Sequence, residues 1–168
     1  MRNWLVALGV LLAVPALGAV AVQQSVESLA RGSDAVVRGT VTKRSAHWEG
    51  GRIFTDVEVQ VAEVWRGRTP AKVTVSVPGG EVGKLGQWVP GAPSFADAED
   101  VALFLTRGAG AGRYGVTGLA LGKFSLAGQT AKPNLAGMET LAQPLAAGER
   151  GAEPMPLAEL RRRVKEAR

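Results

Sequence analysis

The sequence predicts a mainly β protein organised as a small antiparallel Greek-key barrel with short helices near its two ends. Apolar and polar residues alternate along several short segments, as in strands that bury one face. Gly- and Pro-rich stretches separate these segments at the spacing of hairpins and loops. Three consecutive strands, a long connection and then a hairpin form the order of an OB-like barrel, with a β-sandwich as the alternative.

The composition excludes several classes of function. The 168 residues include 20 Lys and Arg against 15 Asp and Glu, one His and no Cys. Without cysteine there is no disulfide scaffold, thiol nucleophile, zinc–thiolate site or lipid-modified thiol. The single His excludes sites with several His ligands and leaves one candidate for His-based catalysis. We therefore expect a protein that is not an enzyme and that has no cofactor and no metal site.

The N-terminus has the organisation of a secretory signal peptide. Arg2 precedes an uncharged stretch over residues 3–25, which a proline and a glycine interrupt before the small residues Ala19-Val20-Ala21. This is the order of positive region, apolar region and signal-peptidase site. We expect residues 1–21 to be removed and residues 22–168 to be periplasmic or extracellular, with no stable membrane span after cleavage. An uncleaved membrane anchor is the alternative.

Residues 22–130 are expected to form the barrel, preceded by a short helix. Apolar positions over residues 23–31 have helical spacing, and Gly32 is typical of a helix end. Glu49-Gly50-Gly51 indicates the first hairpin turn. From their alternation we expect strands over residues 35–44, 53–65, 73–77, 101–105, 113–119 and 123–126, with a further short strand over residues 87–89.

The Gly/Pro-rich connection over residues 78–96 is the candidate partner surface. Trp88 and Phe95 flank its glycine-rich part, and Glu81 lies within it. Either the two aromatic residues pin the loop to the barrel, or the loop presents them to a partner. The sequence predicts a non-catalytic module that binds another exported protein through this loop, with a secreted protease as one possible partner.

Other motifs give no support to catalysis. Gly83-Lys84 lacks the first glycine and the Ser/Thr of a phosphate-binding loop. His47 is interpreted as a solvated residue near a hairpin turn. Asp97, Glu99 and Asp100 lack the spacing of a calcium loop and are interpreted as a solvated turn that keeps a strand edge polar. A metal-dependent enzyme is therefore the least favoured interpretation.

The net charge of +5 gives a second alternative, a structural envelope protein with a weakly adhesive basic surface. Nucleic acid is not expected as a partner, because export separates the chain from it and acidic residues share a strand face with Phe54. Basic residues cluster around the first three predicted strands: Arg38, Lys43, Arg44, Arg52, Arg66, Arg68 and Lys72.

Residues 131–168 are expected to form a Gly/Ala/Pro-rich tail that ends in an amphipathic helix. Leu157, Leu160 and Val164 have helical spacing and would lie on one face. We expect these three side chains to dock the helix onto the barrel.

Three stretches resemble a family of uncharacterised exported bacterial proteins with OB-like barrels. They are SDAVVRGTV over residues 33–41, VTVSVPGGEVG over residues 73–83, and GAPSF over residues 91–95 running into VALFL over residues 101–105. The PGGEVG segment is the most distinctive. The resemblance supports the barrel and implies no catalytic residue.

The first strand and the helix before it are also similar to the netrin-like OB barrels of tissue metalloproteinase inhibitors. That similarity implies a protein-binding role. The inhibitors' N-terminal cysteine and disulfides have no counterpart in this chain, so their inhibitory mechanism is not implied.

Overall fold

The structure is a computed structural model that describes residues 19–109, 112–135, 138–141 and 144–167. The predicted signal peptide lies outside the described residues up to position 18, and its last three residues begin the first strand. None of the helices in the described ranges has the length and apolar character needed to cross a membrane.

The elements confirm a mainly β protein with one short helix before the barrel and another at its C-terminal end. The helices are α1 (Val26–Arg31) and α2 (Leu157–Glu166), and a 3-10 turn spans Leu119–Gly122. The strands are β1 (Ala19–Val22), β2 (Ala35–Glu49), β3 (Arg52–Gly67), β4 (Lys72–Pro78), β5 (Gly80–Val82), β6 (Leu85–Gln87), β7 (Asp100–Arg107), β8 (Arg113–Val116), β9 (Lys123–Ala127), β10 (Thr130–Pro133), β11 (Met138–Leu141) and β12 (Met155–Pro156).

Five strands close into a ring in the order β2-β3-β4-β8-β7, because β7 pairs with both β8 and β2. The pairs are antiparallel except for β4 with β8, where Val75 lies beside Tyr114 in parallel. This is the predicted OB-like order, and the closure of the ring favours the barrel over the sandwich. β9, β10 and β12 extend the sheet outward from β7, and β10 runs across the predicted boundary between residues 130 and 131.

The barrel interior is filled by one side of each strand. Because successive side chains point to opposite faces of a strand, alternate valines of β2, β3 and β4 enter the same core. Burying each valine or leucine stabilises the fold by roughly 1.5–3 kcal/mol. The core contains Val37, Val41, Val57, Val59, Val73, Val75, Val77, Phe95, Val101, Leu103, Leu105 and Tyr114.

A second core lies outside the barrel, between its outer face and the two helices. Phe104 of β7 and Phe124 of β9 pack there with ring centroids 6.0 Å apart. Leu157, Leu160 and Val164 of α2 are buried, as the helical spacing predicted. Burial of both faces of β7 explains its continuous apolar sequence.

Gly39 marks a close approach of β2 to β3. A Cβ atom at this position would lie 2.4 Å from the backbone oxygen of Gln60 and 2.8 Å from Val59 Cγ1. The register of β2 on β3 also shifts between Arg38 and Gly39. Only glycine therefore fits without displacement of a backbone.

We expect Gly39→Ala to lower the free energy of unfolding by about 2–3 kcal/mol, because backbone atoms must move to accept the methyl group. Gly115→Ala in β8 is the matched control, since a Cβ atom there meets no atom within 4 Å. Urea denaturation with equal m-values measures both changes. Equal stability of the two variants would contradict the close approach.

Candidate functional site

The β2–β3 ribbon projects past the barrel, and the connection over residues 78–96 folds back across its inner face. Three hydrogen bonds hold this connection to β3. The Gly79 N–H donates to the Ile53 oxygen at 2.8 Å, and the Ile53 N–H donates to Gln87 Oε1 at 2.9 Å. Thr55 Oγ1 donates to the Gly79 oxygen at 2.7 Å. Much of the loop is therefore fixed by β3.

The Gly79-Gly80 pair allows this close approach. Both residues have positive φ, +96° and +131°, which L side chains rarely adopt. A Cβ atom on Gly80 would lie 2.2 Å from Thr55 Oγ1, and one on Gly79 would lie 2.8 Å from the Gln87 oxygen. The distinctive PGG sequence is explained by this contact.

The connection contains a small hairpin, β5–β6, where Glu81 pairs with Gly86. The predicted short strand over residues 87–89 is displaced, because β6 ends at Gln87. The loop and the ribbon enclose a groove of about 250 Å³, whose lining includes the buried Val57 and Val77.

The structure places the three predicted surface residues differently. Trp88 lines the groove with 70% of its surface exposed, whereas Phe95 lines the same groove but is only 8% exposed and packs in the barrel core. Glu81 is exposed on β5 and does not line the groove. Phe95 thus pins the loop, and Trp88 is presented to solvent.

Arg44 is a groove residue that the sequence pattern did not indicate. Continued alternation along β2 would place it on the outer face with Arg38, but a bulge between Val41 and Lys43 reverses its direction. Its Nε and Nη2 donate to the two carboxylate oxygens of Asp97 at 2.8 and 3.2 Å, and its Nη1 donates to the Phe95 oxygen at 2.8 Å. The hydrogen bonds between Arg44 and Asp97 raise the pKa of the guanidinium and lower that of the carboxyl.

A buried lysine holds the other end of the loop. Lys123 is 1% exposed, and its Nζ lies 2.5 Å from Glu99 Oε1 and 5.2 Å from the centre of the Phe95 ring. Glu99 Oε2 accepts the Ala96 N–H at 2.9 Å. Burial would raise the pKa of Glu99, but hydrogen bonds from Lys123, Ser125 and Ala96 outweigh it, and the pKa is lowered.

The pair formed by Ser125 and Lys123 has the atoms of a serine–lysine catalytic pair, at 2.8 Å. A lysine base must be neutral to take a proton from a serine hydroxyl. Here the ammonium of Lys123 is the ion-pair partner of Glu99, and Ser125 Oγ donates to Glu99 Oε1 at 2.5 Å. The arrangement fits a structural tether and not a nucleophile.

The acidic segment at the start of β7 is only partly the solvated turn that the sequence suggested, since the Asp97 side chain is 74% exposed but that of Glu99 is 15% exposed. Asp97 pairs with Arg44, Glu99 with Lys123, and Asp100 with Arg38. Their separate partners explain why they do not converge on one point, and the described ranges contain no group of three acidic or His side chains that could hold a metal. The single histidine, His47, lies on β2, and its Nε2 is 3.3 Å from Glu49 Oε2.

Most of the basic cluster is neutralised by neighbouring groups. Arg38 pairs with Asp100 and Glu63, and Lys43 and Lys72 both approach Glu58. Arg44 pairs with Asp97, and Arg66 donates a hydrogen bond to the Ala167 oxygen. Arg52 and Arg68 form no salt bridge within the described part of the chain.

Comparison with known proteins gives no relative. No protein-family model matches the chain, and neither the curated proteins nor the solved structures contain a match.

We expect Lys123→Met to lower the free energy of unfolding by about 3 kcal/mol, because the Glu99 carboxylate would stay largely buried without its cation. The double variant Lys123→Met/Glu99→Gln should recover most of the loss. Lys132→Met, on an exposed position of β10, is the matched control and should change stability by less than about 0.5 kcal/mol. Equal effects of Lys123→Met and Lys132→Met in urea denaturation would refute the buried tether.

The lowered pKa of Glu99 also predicts a specific dependence on pH. A carboxyl whose pKa is lower in the folded state stabilises the fold above the unfolded value, near 4.3, and loses that contribution as the pH falls through the folded value. As the pH falls from about 5 to about 3, a range that spans the ordinary pKa of a glutamate, the Glu99→Gln variant should therefore lose less free energy of unfolding than the unmodified protein. Parallel urea midpoints across this range would contradict the expectation.

Proposed function

We propose that residues 22–168 form an exported, non-catalytic module that binds another exported protein through the connection over residues 78–96. The observation that supports this function best is the position of Trp88, which is 70% exposed at the side of a groove whose lining includes the buried Val57, Val77 and Phe95. Tryptophan combines a large apolar surface with an N–H donor and is enriched among the residues that dominate protein interfaces.

The size of the groove favours a side chain of a protein over a small molecule. Pockets for small ligands usually have volumes of roughly 300–1,000 Å³, and they enclose most of the ligand. The groove has about 250 Å³ and is open on one side. One or two apolar side chains of a partner would fit in it, while Trp88 would contact the surface around them.

The backbone of the loop is preorganised by contacts within the chain. The Arg44–Asp97 pair and the Lys123–Glu99 pair hold the residues next to Phe95, and the Gly79 and Gln87 contacts hold the β5–β6 end. Because the backbone is ordered in advance, association does not have to offset the conformational entropy of a flexible loop. Trp88 is thus displayed on a fixed support.

A basic adhesive surface is the second candidate, and the charge pairing weakens it. Arg38, Lys43, Arg44 and Lys72 each approach a carboxylate, so less positive charge is available to a polyanion than the net charge suggests. Such adhesion would fade at moderate salt, because exposed charges are screened over about 10 Å at 0.1 M.

Capture from the native extracellular fraction tests the function, with immobilised protein, Trp88→Ala and Val64→Ala compared at low and high salt. We expect one protein to be retained at high salt by the unmodified chain and by Val64→Ala, and retention by Trp88→Ala to fall at least tenfold (about 1.4 kcal/mol). Val64 is the control because it is also an exposed apolar residue, near the opposite end of β3.

Retention that is equal for Trp88→Ala and the unmodified chain would refute the groove. Salt-labile retention of polyanionic material alone would instead support the adhesive surface. Urea denaturation of Trp88→Ala checks that the loss of retention does not come from unfolding.

A further inference from the structure

The projecting half of β2 has an open edge. β2 pairs with β3 along its whole length, but it pairs with β7 only over residues 35–40. Within the part of the chain that the structure describes, Val41 is the last residue with a backbone hydrogen bond on that side, since its N–H donates to the Glu99 oxygen and its oxygen accepts the Ala98 N–H. Over residues 44–49, β3 is the only described strand paired with β2. Such an edge is a template for another strand.

The hairpin turn identifies which backbone groups face outward. Gly50 and Gly51 both have positive φ, 56° and 76°, as in a two-residue turn of type I′. In such a hairpin the flanking pair, Glu49 with Arg52, is of the hydrogen-bonded kind. The register is regular from there to Arg44, so alternation directs the backbone N–H and C=O groups of Arg44, Ala46 and Trp48 away from β3.

We infer that this edge pairs in antiparallel fashion with the same edge of a second copy of the chain. The two-fold axis passes between the two Ala46 residues. This register places Lys43 opposite the second copy's Glu49, Arg44 opposite Trp48, and Ser45 opposite His47. An isologous interface requires such self-complementarity, and opposite charges in directly facing positions stabilise a strand pair.

The side chains at these positions are suited to the pairing. Lys43 is 64% exposed with its nearest carboxylate, on Glu58, at 4.0 Å, and Glu49 is 60% exposed. The Arg44 side chain is 41% exposed, and its N–H groups bond to Asp97 and the Phe95 oxygen within the guanidinium plane, so stacking of an indole on a face of that plane would not compete with these bonds. Trp48 is 51% exposed and would be covered by that contact.

The uncharged residue at the two-fold axis also favours this register. Ala46 faces itself in this register, so no like charges are set against one another at the axis. The outward groups of Arg44, Ala46 and Trp48 then form three hydrogen-bonded pairs with the second copy. A heterologous extended peptide would satisfy the same backbone groups but would gain nothing from the symmetric order of charges.

Sedimentation equilibrium of the purified full chain, up to about 1 mM, tests the dimer. We expect a reversible monomer–dimer equilibrium. Lys43→Glu and Glu49→Lys should each raise the dissociation constant about tenfold, because each change sets like charges against one another twice across the axis. The double variant Lys43→Glu/Glu49→Lys exchanges the charges and should restore the dissociation constant to within about threefold.

Two further variants separate this edge from other causes. Lys84→Glu makes the same charge change on the exposed β5–β6 turn and should leave the equilibrium unchanged. Ala46→Pro removes an N–H that faces away from β3, so the chain should fold, as urea denaturation would show, and stay monomeric.

A monomer at every concentration overturns the inference, and so does a dimer that the double variant weakens further instead of restoring. Dimerisation that Ala46→Pro leaves intact also overturns it, because the contact would then lie elsewhere. The inference goes beyond the proposed function: Trp88→Ala is expected to dimerise normally, so failure of either one leaves the other standing.

Discussion

A buried ammonium group must be paired, and the pairing of Lys123 with Glu99 organises the loop end of this molecule. Lys123 opens β9 and Glu99 precedes β7, two strands that pair side by side in the outer sheet. The Glu99 carboxylate also accepts the Ala96 N–H, and the Phe95 ring lies against the ammonium. Removal of one partner from such a pair is strongly destabilising, so the position of the loop is tied to the stability of the barrel.

The second constraint is the unequal length of the strands. β2 and β3 have 15 and 16 residues, while β4 has 7 and β8 has 4, so two strands continue where the others end. The barrel interior covers only the first part of the inner face of this ribbon. Ile53 and Thr55, beyond it, are covered by the Gly79-Gly80 turn and Gln87. The groove is therefore a consequence of how the ribbon is covered, and not a separate insertion.

The barrel was predictable because β2, β3 and β4 each alternate apolar and polar residues, and the docking of α2 was predictable because its three apolar residues have helical spacing. The groove was only partly predictable. Nothing in the local sequence distinguishes Trp88 from Phe95, because both are aromatic residues in the same Gly/Pro-rich connection. Their different exposure follows from contacts with residues far along the chain. Arg44 changes face through a bulge, and Lys123 is buried by Glu99, 24 residues away. No local sequence pattern predicts the direction of Arg44 or the burial of Lys123, since both depend on pairing between distant strands.

Pairing at the open edge of β2 would affect binding at the groove, because it would bring two copies of the groove together. Burial of one apolar side chain contributes roughly 1.5–3 kcal/mol, whereas association costs about 4–15 kcal/mol in lost translational and rotational freedom. Contacts around the groove, of about 250 Å³, and around the exposed Trp88 must therefore add to the burial of that side chain if one copy of the chain is to hold a partner. Arg44 belongs both to the groove lining and to the β2 edge, so a dimer formed there would carry two grooves on one rigid ribbon pair. A partner with repeated or paired epitopes would then gain from the second contact by effective concentration, on the order of 10²–10⁴ in affinity, with no new chemistry at either groove.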